Sequence, residues 1–199
     1  MTPRIAIEGV QRCRPSERVS GPRRGDFVLI HGGHWTSWLI QAGQALRYRG
    51  DSRRYTYWNH AAIFSDDRGH IIEALGGGVV ERHISVYDAA DYHVVFLRMA
   101  DLDRDQVVAF ARHCRDQDYG YLTIASLTLS LLTGLRLGFG VDGQEICSGL
   151  VARALERAGE IFAEEPWHAT PAGLAKFYGI LPPDDAVHAE RGGRSHQAA

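Results

Sequence analysis

The sequence predicts an α+β domain, and three observations carry that prediction. Strand-like segments concentrate in one block, from Asn59 to Met99. Segments with helical spacing lie on either side of the block rather than alternating with its strands. Apolar residues make up 45% of the 199 positions and charged residues 23%, enough to bury one sizeable core in one domain.

Taken in order, residues 1–24 are rich in Arg, Pro and Ser and read as a loose lead-in, with the domain proper spanning 25–183. Gly25-Asp26 opens Phe27-Val28-Leu29-Ile30, an apolar run of strand length. Trp38, Leu39, Ala42 and Leu46 fall on one face of a helix over 36–47, capped by Thr36 or Ser37. Strands follow at 60–65 and 70–75, separated by Asp66-Asp67-Arg68-Gly69, a run of hairpin residues. Gly76-Gly77-Gly78 makes a second turn into a strand at 79–82, and another strand covers 93–98. The block is thus an antiparallel meander of about four strands. Val107, Val108, Ala111 and Cys114 give 103–116 a helical face. The uncharged stretch from Tyr119 to Leu135 is broken by Thr and Ser and is short for a membrane span, so it reads as a buried helix. A loop with Gly138, Gly140 and Gly143 leads to a helix over 147–158 that Gly159 ends. Thr170-Pro171 is an N-cap with proline at the first helical position of a last short helix. Residues 184–199 read as a disordered tail.

Several function classes are disfavoured at once. A formal charge of -2 gives no basic surface for phosphate contacts, which argues against a nucleic-acid partner. The first 20 residues hold no apolar stretch of signal-peptide length, and no transmembrane segment is expected, so a cytoplasmic location is the expectation. Cys13, Cys114 and Cys147 form no CxxC or other metal-ligand spacing and are expected as thiols.

Of the three, Cys147 is placed to react. It follows a glycine-bearing loop and opens a helix, where unpaired N–H groups and the helix dipole favour a thiolate. Cys114 lies within a helix as a small core hydrophobe, and Cys13 sits incidentally in the lead-in. A thiolate nucleophile needs a histidine to accept and return a proton. His60 begins a strand, on the face it shares with Ala62 and Phe64. The 66–69 turn sets 60 or 62 opposite 73, so Glu73 falls on that same face, directly or diagonally paired with His60. A carboxylate on one imidazole nitrogen fixes the tautomer and leaves the other nitrogen for the nucleophile. Flanked by Ile71-Ile72 and Ala74-Leu75, Glu73 would be costly to bury without such a partner. This reading requires Cys147 Sγ within about 4 Å of a His60 ring nitrogen.

In order, Gly25-Asp26-Phe27-Val28-Leu29, Asn59-His60-Ala61-Ala62-Ile63, Ile72-Glu73-Ala74, Gly78-Val79-Val80 and Cys147-Ser148-Gly149-Leu150-Val151 resemble the motifs of a known family. It is the circularly permuted branch of the NlpC-type papain-like cysteine hydrolases, of the YiiX/YebB-like kind. Tyr119-Gly120-Tyr121 resembles its Y-D-Y element, with glycine in place of the acid, and Gly149 stands where an acidic residue is common. The resemblance covers roughly residues 25–180. It implies a papain-like α+β fold, permuted so that His60 and Glu73 precede Cys147, and a bacterial peptidase or amidase that needs neither cofactor nor metal. A lipid-directed acyl hydrolase or acyltransferase is the alternative, motivated by the apolar segment 121–135 and by Trp35, Trp38, Trp58 and Trp167 as a greasy channel, although core packing is the usual role of tryptophan. A catalytically inactive binding protein of the same fold is the third reading. His31 and His34, joined by His60, His70 or Glu73, could ligate a metal, but the spacing matches no zinc pattern. Gly76-Gly77-Gly78 joins two strands and lacks a following Lys-Ser/Thr, so it is no phosphate loop, and Gln144 is near enough in sequence to serve an oxyanion. The sequence leaves the oligomeric state and the choice among peptide, amide and acyl-lipid substrates open.

Overall fold

Six antiparallel strands and the helices packed on them account for most of the computed structural model, which describes residues 2–32, 44–75, 78–115, 147–162 and 169–183. The strands are β1 (Ile7–Cys13), β2 (Phe27–His31), β3 (His60–Phe64), β4 (His70–Leu75), β5 (Gly78–His83) and β6 (Asp91–Leu97). Their order across the sheet is β1-β6-β2-β3-β4-β5. The helices are α1 (Asp101–Cys114), α2 (Cys147–Arg157) and α3 (Pro171–Tyr178), and short 3-10 helices cover Gly50–Tyr57 and Ile84–Tyr87. The architecture is therefore α+β, as the sequence predicts.

The main departure is at the N-terminus. Residues 7–13, expected within a loose lead-in, form the edge strand β1 and pair along β6 from Ile7↔Leu97 to Cys13↔Tyr92. Their polar look comes from their position: an edge strand exposes many of its side chains to water, and charged residues there discourage pairing with other chains. Cys13 is fully buried, not an incidental loop residue. The domain thus begins well before residue 25. Glu160, itself buried, anchors this end by accepting the N–H groups of Arg4 and Ile5.

The sheet is buried on both faces. Phe27, Leu29, Ala61, Ile63, Ile72, Val95 and Leu97 meet the helices, with Val107 and Ala111 of α1 and Leu150, Val151, Ala154 and Leu155 of α2. Val28, Ile30, Ala62, Phe64, Ile71 and Val94 form a second cluster on the reverse face. That face is covered because β6 inserts between β1 and β2. The chain leaving β5 must cross beneath the sheet to reach it, bringing Ile84, Tyr87 and Ala90 against the cluster.

Local signals behave as their chemistry requires. α1 buries Val107, Val108, Ala111 and Cys114, and its Asp101 and Asp103 sit in the first turn with Arg112 and His113 in the last, matching the helix dipole. Thr170 caps α3 by accepting from Gly173 N–H, and Gly179 ends it at φ 69°. Of the expected helix over 36–47, residues 44–47 are helical and the rest lies outside the described residues. The apolar stretch 119–135, the glycine loop before Cys147 and the 184–199 tail lie outside them too. Among the described residues no helix is long and apolar enough to cross a membrane.

The Gly25-Asp26 pair has a physical reason. Gly25 adopts φ +85°, and a Cβ there would stand 3.3 Å from the Arg104 backbone. Asp26 is fully buried; its Oδ1 accepts from Arg104 Nη1 (2.9 Å) and from Leu97 N–H (3.0 Å), and its Oδ2 accepts from Arg23 N–H (2.9 Å). Arg104, equally buried, also donates to the carbonyls of Arg24 and Leu97. One ion pair thus joins β2, β6 and α1. Removing either partner leaves an uncompensated buried charge, so Asp26→Ala or Arg104→Met should cost about 3–5 kcal/mol. Urea unfolding checks this: the midpoint should fall sharply, and an unchanged midpoint would contradict the assignment.

Candidate active site

The site lies where the head of α2 meets the start of β3. Helix α2 packs on β3 and on α1, which sets its first residue, Cys147, beside the first residues of the strand. Strands β3 and β4 pair at Ile63↔Ile72 and Phe64↔Ile71 only. Beyond Ile63 that ladder lapses, so Ala61 N–H is available to the sulfur of Cys147, which also receives Ser148 N–H. Ser148 itself is buried and donates its hydroxyl to Ala169 O at 2.7 Å, tying the helix head to the segment before α3.

His60 hydrogen-bonds Cys147 on one side and Glu73 on the other. Its Nε2 lies 2.5 Å from Glu73 Oε2, which leaves Nδ1 for the sulfur. The expected diagonal relation holds: continuing the Ile63↔Ile72 register places Ala62 opposite Glu73 and His60 one step along the same face. Cys147 is 7% exposed, the His60 side chain 13%, and the Glu73 side chain not at all. Asn59, next to His60, grips Gly32 from both sides, accepting its N–H (3.0 Å) and donating to its carbonyl (2.9 Å). This clamp extends the β2–β3 pairing to the strand end that carries His60.

Burial opposes charge on all three groups, and their mutual attraction overcomes it. Desolvation alone would lower the His60 pKa; the Cys147 and Glu73 charges and hydrogen bonds raise it to about 10. Desolvation raises the Cys147 thiol, but the His60 charge and hydrogen bond, with the Ala61 and Ser148 N–H groups, bring it below its ordinary value. Glu73 behaves likewise: burial raises its carboxyl, whereas His60, Tyr87 and Arg82 pull it below the usual range. A thiolate–imidazolium pair is the favoured state of this arrangement.

Arg82 and Tyr87 escaped sequence reading. Arg82 Nε donates to Glu73 Oε1, and the Tyr87 hydroxyl donates to Glu73 Oε2. A signal for Arg82 existed in the second hairpin, whose Glu73↔Val80 and Ile71↔Arg82 register sets Arg82 diagonal to Glu73 on one face. Tyr87 had none, since only the crossover beneath the sheet brings it there.

The remaining candidates separate clearly. His31 donates Nδ1–H to Tyr57 O at 2.7 Å and stacks on the Tyr57 ring at 3.9 Å, while His70 pairs with Asp66 at 2.7 Å. Among the described residues no group of three or more His, Cys, Asp or Glu is arranged to hold a metal ion. Trp58 is fully buried and donates Nε1–H to Ile180 O (3.3 Å), which makes it a core residue rather than a channel wall. His34, Trp35, Trp38, Trp167, Gln144 and Tyr119-Gly120-Tyr121 lie outside the described residues. Cys114 is buried at the end of α1, and burial raises the Cys13 thiol. Comparison of the chain with protein-family models and with curated proteins finds no match to either.

The geometry makes a direct prediction about the three thiols. Because the Cys147 thiol is depressed, its thiolate persists to lower pH than that of an ordinary thiol and is lost as pH falls through that lowered value. At pH 6 iodoacetamide should therefore alkylate Cys147 well ahead of Cys13, and His60→Ala should cut the Cys147 rate by about tenfold for each unit by which the thiol pKa rises. Equal labelling of Cys13 and Cys147, or indifference to His60→Ala, would overturn the ion pair.

Proposed function

We propose that the protein is a cysteine-dependent hydrolase of the peptidase or amidase type, with a circularly permuted papain-like fold. The observation that carries this reading is the buried chain Cys147–His60–Glu73 at the head of α2. The chain order, with His60 and Glu73 before Cys147, supports the permuted arrangement and the likeness to the NlpC-type hydrolases.

In this mechanism the Cys147 thiolate attacks the carbonyl carbon of an amide or ester. The carbonyl electrons move onto oxygen, and backbone N–H groups at the head of α2 stabilise that oxyanion. His60 then gives its Nδ1 proton to the leaving amine or alkoxide as the tetrahedral adduct collapses to a thioester. Water next loses a proton to His60 and attacks the thioester, which releases the acid and restores the thiolate–imidazolium pair. Glu73 holds the ring at Nε2 throughout and stabilises its charged form. No step calls on a cofactor.

The peptide and amide class is preferred to acyl lipids. The lipid reading rested on the tryptophans and on segment 121–135; Trp58 belongs to the core, and the other parts lie outside the described residues. The inactive-binder reading has no use for a depressed thiol held against an imidazolium.

The test is hydrolysis of a panel of peptide amides, activated esters and detergent-dispersed acyl lipids by the full chain. Cys147→Ala should remove activity by about a thousandfold or more, and mass spectrometry should trap an acyl adduct on Cys147. kcat/KM should rise through a midpoint below the ordinary thiol range and fall as His60 loses its proton near pH 10. No turnover of any class, with full folding and an unreactive Cys147, would return the chain to the binding-protein reading.

A further inference from the structure

Beyond the three residues of the proposed site, Glu73 has two further partners, Arg82 and Tyr87. Its Oε2 already receives His60 Nε2 and also accepts the Tyr87 hydroxyl; its Oε1 accepts Arg82 Nε. Arg82 Nη2 in turn donates to Tyr87 Oη (3.1 Å), so the phenol accepts from the guanidinium and donates to the carboxylate, a single consistent direction. The same phenol ring lies 5.8 Å from the His60 ring and beneath the Arg82 guanidinium at 5.4 Å. Glu73 itself is wholly withdrawn from water, whereas the Arg82 side chain is 38% exposed.

The charged groups facing Glu73 come from three elements: His60 on β3, Arg82 on β5 and, through His60, Cys147 on α2; Tyr87 on the crossover adds a titratable hydroxyl. With thiolate and imidazolium formed, the row Cys147–His60–Glu73–Arg82 alternates in sign and sums to zero. Without Arg82 it would hold one net negative charge in a buried place. Such a site restores neutrality by binding a proton, on Glu73 or on the thiolate. Either outcome weakens the thiolate.

We propose that Arg82 and Tyr87 are positioning residues of the same site, holding Glu73 ionised and against His60 so that the thiolate–imidazolium pair persists. This rests on the cysteine-hydrolase reading for its catalytic meaning, but not for its chemistry at the carboxylate. Arg82 supplies the balancing charge at the far oxygen. Tyr87 supplies a neutral donor at the oxygen His60 uses, and its ring packs against the imidazole. Substrate need touch neither.

Difference infrared spectroscopy on the full chain, with Glu73→Gln as the reference that identifies the Glu73 carbonyl band, reads the carboxyl directly. In the unsubstituted protein Glu73 should stay ionised below the ordinary carboxylate range. Arg82→Met should move its titration, or that of the Cys147 thiol, up by about one unit or more, which at any pH below the thiol pKa lowers the thiolate fraction about tenfold per unit of thiol shift. Tyr87→Phe, which keeps the ring and all charges, should shift the same titrations in the same direction by less, and Arg82→Lys should restore most of the Arg82→Met loss. Thiolate is followed by its ultraviolet absorbance, with Cys147→Ser subtracted. In a Glu73→Gln background, Arg82→Met should give no further loss of thiolate, because the arginine acts through the carboxylate. Unmoved titrations in both Arg82→Met and Tyr87→Phe, or additive effects with Glu73→Gln, would overturn the proposal; Tyr87→Phe decides if Arg82→Met does not fold. If Cys147 instead titrates as an ordinary thiol while the Glu73 band responds as expected, the hydrolase reading fails and the positioning role stands.

Discussion

A carboxylate with no exposure to water is the constraint on which the site depends. Glu73 sits on a strand between two isoleucines and an alanine, where an unpaired charge would cost several kcal/mol. It is held there by three donors, one each from β3, β5 and the crossover beneath the sheet. The consequence passes outward in one direction. A charged Glu73 favours a protonated His60, and a protonated His60 favours a thiolate at Cys147. Loss of any link leaves a buried group with the wrong charge for its surroundings, so the site behaves as a unit rather than as three separate side chains.

That unit needs elements far apart in the chain to meet within a few ångströms. The sheet order provides the first condition. Because β6 returns to lie between β1 and β2, the segment after β5 is carried under the reverse face, where Ile84 seals the cluster and Tyr87 reaches Glu73. The second condition is a fixed helix layer. Asp26 and Arg104 lock α1 to β2 and β6 by a fully buried pair, and α2 packs on α1 and β3. The third is the parting of β3 from β4 beyond Ile63, which frees Ala61 N–H for the sulfur. Packing, register and electrostatics are therefore not separate accounts of this site.

Much of this was legible in the sequence, and for identifiable reasons. Helix positions follow from caps and periodicity: Thr170-Pro171 and Gly179 bound α3, and Gly159 follows the end of α2. The His60–Glu73 relation follows from one tight turn, since a four-residue connection at 66–69 leaves few registers open and strand alternation does the rest. Where reading failed, the determinant was not local. Residues 7–13 carry little strand pattern because an edge strand needs no apolar face on its outer side, and only the presence of β6 shows that they have a partner. Cys13 looked incidental for the same reason and is in fact buried.

Sequence alone determined the fold class, the hairpin that joins His60 to Glu73, and the singling out of Cys147 among three cysteines by its place at a helix head. Those depend on turn chemistry, alternation and helix polarity, which act over a few residues. Tertiary structure decided that β1 belongs to the sheet, that Cys147 comes beside His60, and that Arg82 and Tyr87 close around Glu73. These depend on which strands are neighbours and on where a crossover runs, and such choices are made by the burial of whole faces rather than by any short stretch of chain.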